Sequence, residues 1–233
     1  MAPVDNYLPI TAYEISIADH SGSYAADAAL CDGGSAAALA DLACVIPMAS
    51  LTGAPLSLPL GTLAAFKVRA SNGRGSSLTS IANTAGVLAQ TVPTAMAAPF
   101  TDPAQTGESQ VHVEWTALST AGATGGSAVT SYHLRWDGGA GDGSWQDVVG
   151  SSPASLATSI QLTSSITPGA VYTFSVRASN IHGWGAWSPA AAIKAAQPPH
   201  QMSAVTTSIL SATGGVSLAW APPSDGSDPI GRY

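Results

Sequence analysis

The stretch Thr167-Pro-Gly-Ala-Val-Tyr172-Thr-Phe-Ser-Val-Arg-Ala-Ser-Asn180-Ile-His-Gly183 decides the fold class. Tyr172, Phe174, Val176 and Ala178 alternate with Thr173, Ser175 and Arg177. A period of two sends alternate side chains to opposite faces of a strand, so the first set points to a core. Thr167-Pro-Gly ahead of it is turn chemistry. Working outward, Val111, Val113 and Trp115 alternate with His112 and Glu114, and Tyr132, Leu134 and Trp136 alternate with His133 and Arg135. Gly138-Gly-Ala-Gly141 supplies a further turn. Short alternating strands between turns are the signal of an all-β sandwich.

The deciding stretch recurs. Val176-Arg-Ala-Ser-Asn180 repeats Val68-Arg-Ala-Ser-Asn72, with Gly61 answering Gly169, Phe66 answering Phe174 and Gly75 answering Gly183. Val111-His-Val-Glu-Trp115 answers Val216-Ser-Leu-Ala-Trp220. A third series runs Pro9-Ile-Thr-Ala-Tyr13, Ala128-Val-Thr-Ser-Tyr132 and Pro229-Ile-Gly-Arg-Tyr233. The unit is about 100–120 residues long, so the chain is an array of similar units.

These residues resemble fibronectin type III domains: a Trp on the second strand, a Pro-x-Thr-x-Tyr leading the third, and the Thr-Pro-Gly-Ala-Val-Tyr-x-Phe-x-Val-x-Ala-x-Asn-x-x-Gly run on the sixth. The resemblance covers nearly the whole chain and is most specific for the middle copy. It implies tandem seven-stranded sandwiches of two antiparallel sheets. Tyr172 matches the family's tyrosine corner, whose hydroxyl ties its strand back to the preceding turn. Ala64 stands at the corresponding position of the first copy, which therefore needs another staple.

On this reading residues 1–90 are a copy lacking its first two strands, 91–197 a complete domain, and 198–233 the first two strands of a further copy. Two explanations stand side by side. The chain is a stretch of a longer tandem array, or neighbouring copies complete one another head to tail into a filament. In the second case Leu218 and Trp220 of one chain would cover Tyr13, Ile15 and Phe66 of the next.

Cys31 and Cys44 are the only cysteines. Their spacing does not suit redox or zinc chemistry. They read as a disulfide closing a loop, which implies an oxidising, extracellular setting; two free thiols in a cytosolic protein are the alternative. No apolar run approaches the length of a membrane span. Met1-Ala-Pro-Val-Asp-Asn6 has neither the basic residue nor the apolar stretch of a secretory signal.

Composition excludes several classes. Only 9% of residues are charged, with seven basic against 14 acidic ones and a net charge of −7. A nucleic-acid binder needs a basic footprint that this chain lacks. A hydrophobic fraction of 45% argues against charge-driven disorder. Ala, Ser and Thr stand where surface Lys and Glu usually stand, which suits a surface covered by neighbouring copies or by O-linked glycans.

One constellation stands out. Trp184-Gly-Ala-Trp187-Ser188 resembles the WSxWS box of cytokine-receptor fibronectin domains, with Gly185 in place of the first Ser. The resemblance implies Trp rings interleaved with the guanidinium groups of Arg135 and Arg177. The pattern also suits C-linked mannose. This ladder reads either as a stiffener of the sheet face or as a partner face. In the first copy Glu14 with Lys67 and Arg69 reads as a cross-strand charge pair.

No nucleophile elbow, zinc-protease helix, P-loop or dinucleotide fingerprint is present. His112 and His133 read as solvated outward positions, and the Asp137–Asp142 and Asp225–Asp228 loops as turns; calcium coordination is the alternative for the loops and needs more ligands than either supplies alone. No cofactor and no catalytic residue are expected. The leading expectation is a structural or adhesive extracellular protein acting as spacer, surface coat or filament subunit. It is similar in this to repeat-bearing surface proteins of protists. The other expectation is a glycan- or protein-binding module using the Trp184/Trp187 face.

Overall fold

A computed structural model describes residues 8–210 and 214–231. The opening Met1–Asn6 and the end of the third tyrosine series, Arg232-Tyr233, lie outside them. The chain divides into two compact units. The first comprises Met1–Thr94 with Ser119–Ala128 and Asn180–Gly183, the second Ala95–Leu118, Val129–Ser179 and Trp184–Tyr233.

In the first unit, β1 (Ile10–Ala18), β2 (Tyr24–Ala26), β3 (Phe66–Asn72) and β4 (Gly75–Ser76) form an antiparallel sheet in the order β2-β1-β3-β4. Two short helices, α1 (Ala36–Asp41) and α2 (Met48–Thr52), occupy the connection from β2 to β3. Ser35 starts α1 by accepting the Ala38 N–H, as an N-cap serine does. Ile17, Leu51, Leu56, Leu58, Ala64 and Ala89 form the core, with Phe66 and Met48 packed against it.

The second unit holds a two-sheet sandwich. One sheet pairs β5 (Val111–Glu114) with β8 (Ser159–Leu162). A third short helix, α3 (Ala121–Thr124), lies in the chain after β5 and belongs to the first unit. The other sheet orders β10 (Gly183–Trp184), β9 (Val171–Asn180), β6 (Ser131–Trp136) and β7 (Gln146–Val149), with β11 (Ala191–Lys194) also on β9. Val111, Val113 and Trp115 from the first sheet meet Tyr132, Leu134, Phe174, Val176 and Ala178 from the second in one buried cluster. These are the first members of each alternating set, so period two set the faces as expected. A two-stranded hairpin, β12 (Thr206–Leu210) with β13 (Gly215–Ala219), follows.

The repeat is physical as well as textual. In β6 and β9, Tyr132 opposes Ala178, Leu134 opposes Val176 and Trp136 opposes Phe174. In β1 and β3, Tyr13 opposes Ala70, Ile15 opposes Val68 and Ile17 opposes Phe66. The register is the same. The shared Asn closes the same turn: Asn72 Oδ1 accepts the Arg74 N–H at 2.9 Å and Asn180 Oδ1 the His182 N–H at 2.8 Å. Gly75 and Gly183 follow at φ of 134° and 121°, values that a side chain would oppose.

The tyrosine corner forms. The Tyr172 hydroxyl donates to the Ser165 carbonyl at 3.1 Å and accepts the Thr167 N–H at 2.7 Å. The first unit replaces it by Asn83. Its Oδ1 accepts the Phe66 N–H at 2.7 Å and its amide donates to the Ala64 carbonyl at 3.0 Å. Ser80 and Ser77 likewise take the N–H groups of Val68 and Ala70. Side chains three residues apart thus serve every second amide of β3. In the second unit Ser188 does the same for Val176, at 3.0 Å.

Candidate functional site

The Trp–Arg constellation is assembled on the outward face of the β6/β9 sheet. Arg135 and His133 alternate with the core residues of β6, and Arg177 with those of β9, so all three share one face. Ser188, hydrogen-bonded to β9, fixes the segment that presents Trp187. The Arg177 guanidinium lies 4.7 Å from the Trp184 ring and 4.2 Å from the Trp187 ring. Arg135 lies 3.8 Å from the other neighbour of the series, Trp187, and 4.1 Å from Trp145. The order is Trp184, Arg177, Trp187, Arg135, Trp145. Each stack contributes about 0.5–2 kcal/mol. Burial together with the mutual charge of the two guanidinium groups lowers the pKa of Arg135, and burial lowers that of Arg177.

Three members of the site escaped the sequence reading. Trp145 lies in a Gly-rich turn segment with no strand periodicity to place it. His133 was expected in solvent and is only 3% exposed; the two Trp rings cover it, at centroid distances of 5.4 Å from Trp184 and 4.9 Å from Trp187. Asp147 reaches His133 Nε2 at 2.7 Å, while Arg177 Nη2 lies 3.2 Å from Nδ1. Arginine only donates and carboxylate only accepts, so the neutral ring carries its proton on Nε2. Burial holds the His133 pKa below its ordinary value, against the opposing pull of Asp147. The Ser151 hydroxyl and His133 in turn hold Asp147 below the usual carboxylate range. His112 is also buried, at 7%, with Nδ1 3.2 Å from Glu114. For His133, outward on a strand is not the same as solvated, because two Trp rings lie over that face.

The acidic loops are turns. Burial raises the Asp137 carboxyl, but the N–H groups of Thr173 and Gly139, each at 2.9 Å, outweigh it and leave the pKa low. Asp225 accepts the Ser227 N–H at 3.0 Å. Among the described residues no cluster of three or more His, Cys, Asp or Glu is placed to hold a metal ion. Nor is any helix among them long and apolar enough to cross a membrane.

The first unit carries the cysteine bond and the charge pair. Cys31 and Cys44 form a disulfide around α1. Arg69 meets Glu14 at 2.7 Å, an exposed pair contributing under about 1 kcal/mol. Lys67 sits instead over the Tyr24 ring, at 3.9 Å. Tyr13 and Ile15 line an open groove of about 430 Å³ with Val68 and Ala70, walled by the disulfide and Leu42. Phe66 lies outside the groove, in the core cluster. Leu218 and Trp220 are 59% and 54% exposed.

Residues 100–194 match the sequence profile of the fibronectin type III domain. This stretch of the chain is a fibronectin type III domain. Among solved structures the chain is similar to the FN1–FN3 domains of chicken CNTN1, at 20% identity over 94% of this chain and 67% of that one, TM-score 0.40. It is similar to domains A168–A170 of titin at 19% identity, over 57% and 40%, TM-score 0.38. It is also similar to the sixth fibronectin type III domain of human fibronectin type III domain containing protein 3, at 22% identity over 52% and 100%, TM-score 0.38. No curated protein matches the chain. The matching segment, the tyrosine corner and the paired sheets carry the assignment.

Proposed function

We propose that the chain is part of a tandem fibronectin III array that works outside the cell as a structural or adhesive element: a spacer, surface coat or filament subunit. The observation that carries this reading is the repeated register of β1/β3 and β6/β9, closed by the same Asn–Gly turn. A fold made once and made again along a chain is a device for length and spacing. The disulfide supports an oxidising compartment. The low surface charge supports a surface covered by adjacent repeats, neighbouring copies or O-linked glycans. Electron microscopy of the native material tests it. Elongated, regularly segmented particles are expected; compact particles without a repeating segment would overturn it.

A second reading has its own observation. Trp145 ends the ladder 37% exposed, and an aromatic end on a rigid, WSxWS-like face suits a glycan or protein partner. Trp184→Ala separates the two. Loss of a ligand with unchanged melting temperature favours binding, and loss of stability alone favours a stiffening role. C-linked mannose on Trp184 would appear as a mass increment on the peptide containing it.

A further inference from the structure

We propose that successive copies are joined by a clasp: the segment leaving one copy is hydrogen-bonded to the loop that follows the Trp strand of the next, so the joint is an ordered element and not a free tether. The proposal rests on the array reading above and adds the surface by which one copy holds the following one.

The clasp is built twice. At the first joint the Ala89 carbonyl accepts the Gly61 N–H at 2.7 Å, and the Ala89 N–H donates to the Thr62 carbonyl at 2.7 Å. The chain then crosses to the next copy: the Thr91 N–H donates to the Gly125 carbonyl at 2.8 Å and the Thr94 N–H to the Ala123 carbonyl at 2.9 Å. At the second joint Ala195 makes the same pair of bonds with Gly169 and Ala170, at 2.8 and 2.9 Å. The Gln197 N–H then donates to the Gly226 carbonyl at 2.9 Å and the His200 N–H to the Ser224 carbonyl at 3.0 Å. Gly125 lies in the loop after Trp115 and Gly226 in the loop after Trp220, so both receiving loops hold the same place in their copies. The first clasp lies wholly within the first compact unit and the second wholly within the second.

The residues at both joints suit this pairing. Val92-Pro93 and Pro198-Pro199 stand between the two crossing bonds. Proline has no N–H to leave without a partner, and its fixed φ lowers the cost of ordering the segment. Gly125 and Gly226 have φ of 72° and 66°. A Cβ on either would run into a backbone carbonyl oxygen of the leaving segment, that of Thr91 or that of Gln197. The residues after them, Gly126 and Ser227, keep the left-handed turn at 74° and 66°.

The side chains that fasten the joints differ. At the first, Asn180 donates to the Thr91 and Thr124 carbonyls at 2.7 and 2.9 Å, and Gln90 to the Gly126 carbonyl at 2.8 Å. At the second, the Ser227 hydroxyl donates to Glu108 at 2.7 Å and Lys194 pairs with Asp228. The same backbone bonds thus form with two different sets of side chains, as expected of a device set by backbone geometry.

Hydrogen exchange of the full chain, read amide by amide, tests the clasp. The amides of Thr91, Thr94, Gln197 and His200 are expected to be protected in the wild-type chain. Gly125→Ala should speed exchange at Thr91 and Thr94 about tenfold or more and leave Gln197 and His200 unchanged, and Gly226→Ala should do the converse. Gly141→Ala is the control: Gly141 has φ of 65° with nothing near its would-be Cβ, so it carries the same backbone strain and should change neither joint. The Val176 amide reports whether each variant keeps its folded sheet, and the wild-type measurement stands whether or not a variant folds. Joint amides that exchange in the wild type as fast as an unstructured chain overturn the proposal. So does a glycine variant that folds and leaves its own joint protected, or an equal effect from Gly141→Ala. Segmented particles in the native material with unprotected joint amides would retire the clasp and leave the array reading standing; compact particles with protected joint amides would do the reverse.

Discussion

At the scale of single residues, the Trp–Arg ladder is held by a histidine that must stay neutral. His133 gives its Nε2 proton to Asp147 and faces Arg177 through Nδ1. A second proton would place a cation against Arg177, with Arg135 close by, under two Trp rings. Unfolded, the imidazole titrates near about 6.5; folded, burial holds it lower. Between those values the unfolded chain binds a proton that the folded chain does not, so stability falls as pH drops through about 6.5. The loss levels off below the folded pKa. Asp147 and Asp137, both depressed, add a further loss only at more acid pH, in the carboxylate range. Melting temperature against pH reads this directly, and His133→Gln should flatten the upper slope while leaving the acid limb. Trp187 touches both guanidinium groups and the His133 ring. Trp187→Ala should therefore cost about 2–3 kcal/mol in denaturant unfolding, two stacks plus lost apolar burial.

At the scale of elements, the two units solve one problem with different residues. A strand equivalent to β9 must be tied to its flanking segments near its start. Tyr172 does this through a hydroxyl, and Asn83 through a carboxamide that reaches the Phe66 N–H and the Ala64 carbonyl. Either truncation leaves backbone groups without partners, which costs about 1–2 kcal/mol. Tyr172→Phe should expose the Thr167 amide to hydrogen exchange, and Asn83→Ala the Phe66 amide, each without changing protection in the other unit. Tyr172 was legible because its spacing from Thr167-Pro-Gly belongs to the alternating strand. Asn83 was not, because Ser77, Ser80 and Asn83 follow a three-residue spacing that reads as loop. The helices between β2 and β3 were equally hidden: Ala36–Asp41 is an Ala-rich run with no apolar stripe, and it folds against β1 in a loop closed by the disulfide. The core faces, by contrast, could be read at once, since alternation is fixed by strand geometry alone.

At the scale of the whole molecule, the disulfide distinguishes the units energetically. Each unit has its own core cluster, and the cluster of the first is the smaller, with part of its sheet open as the groove. The second has a closed two-sheet core and needs no cysteine. The first closes a loop of sequence separation 13 with Cys31–Cys44, and the chain-entropy model gives such a loop about 3 kcal/mol. That is comparable to the whole net stability of a small domain with a thin core. Calorimetry should therefore show two transitions, the first unit melting below the second. Reductant, or the Cys31→Ser/Cys44→Ser variant, should lower the first by about 12–24 °C, since 1 kcal/mol moves a domain of this size by about 4–8 °C. The second transition should not move. A single transition that shifts as one under reductant would show that the two cores unfold together, and the disulfide would then be stabilising the whole chain instead of the first unit alone.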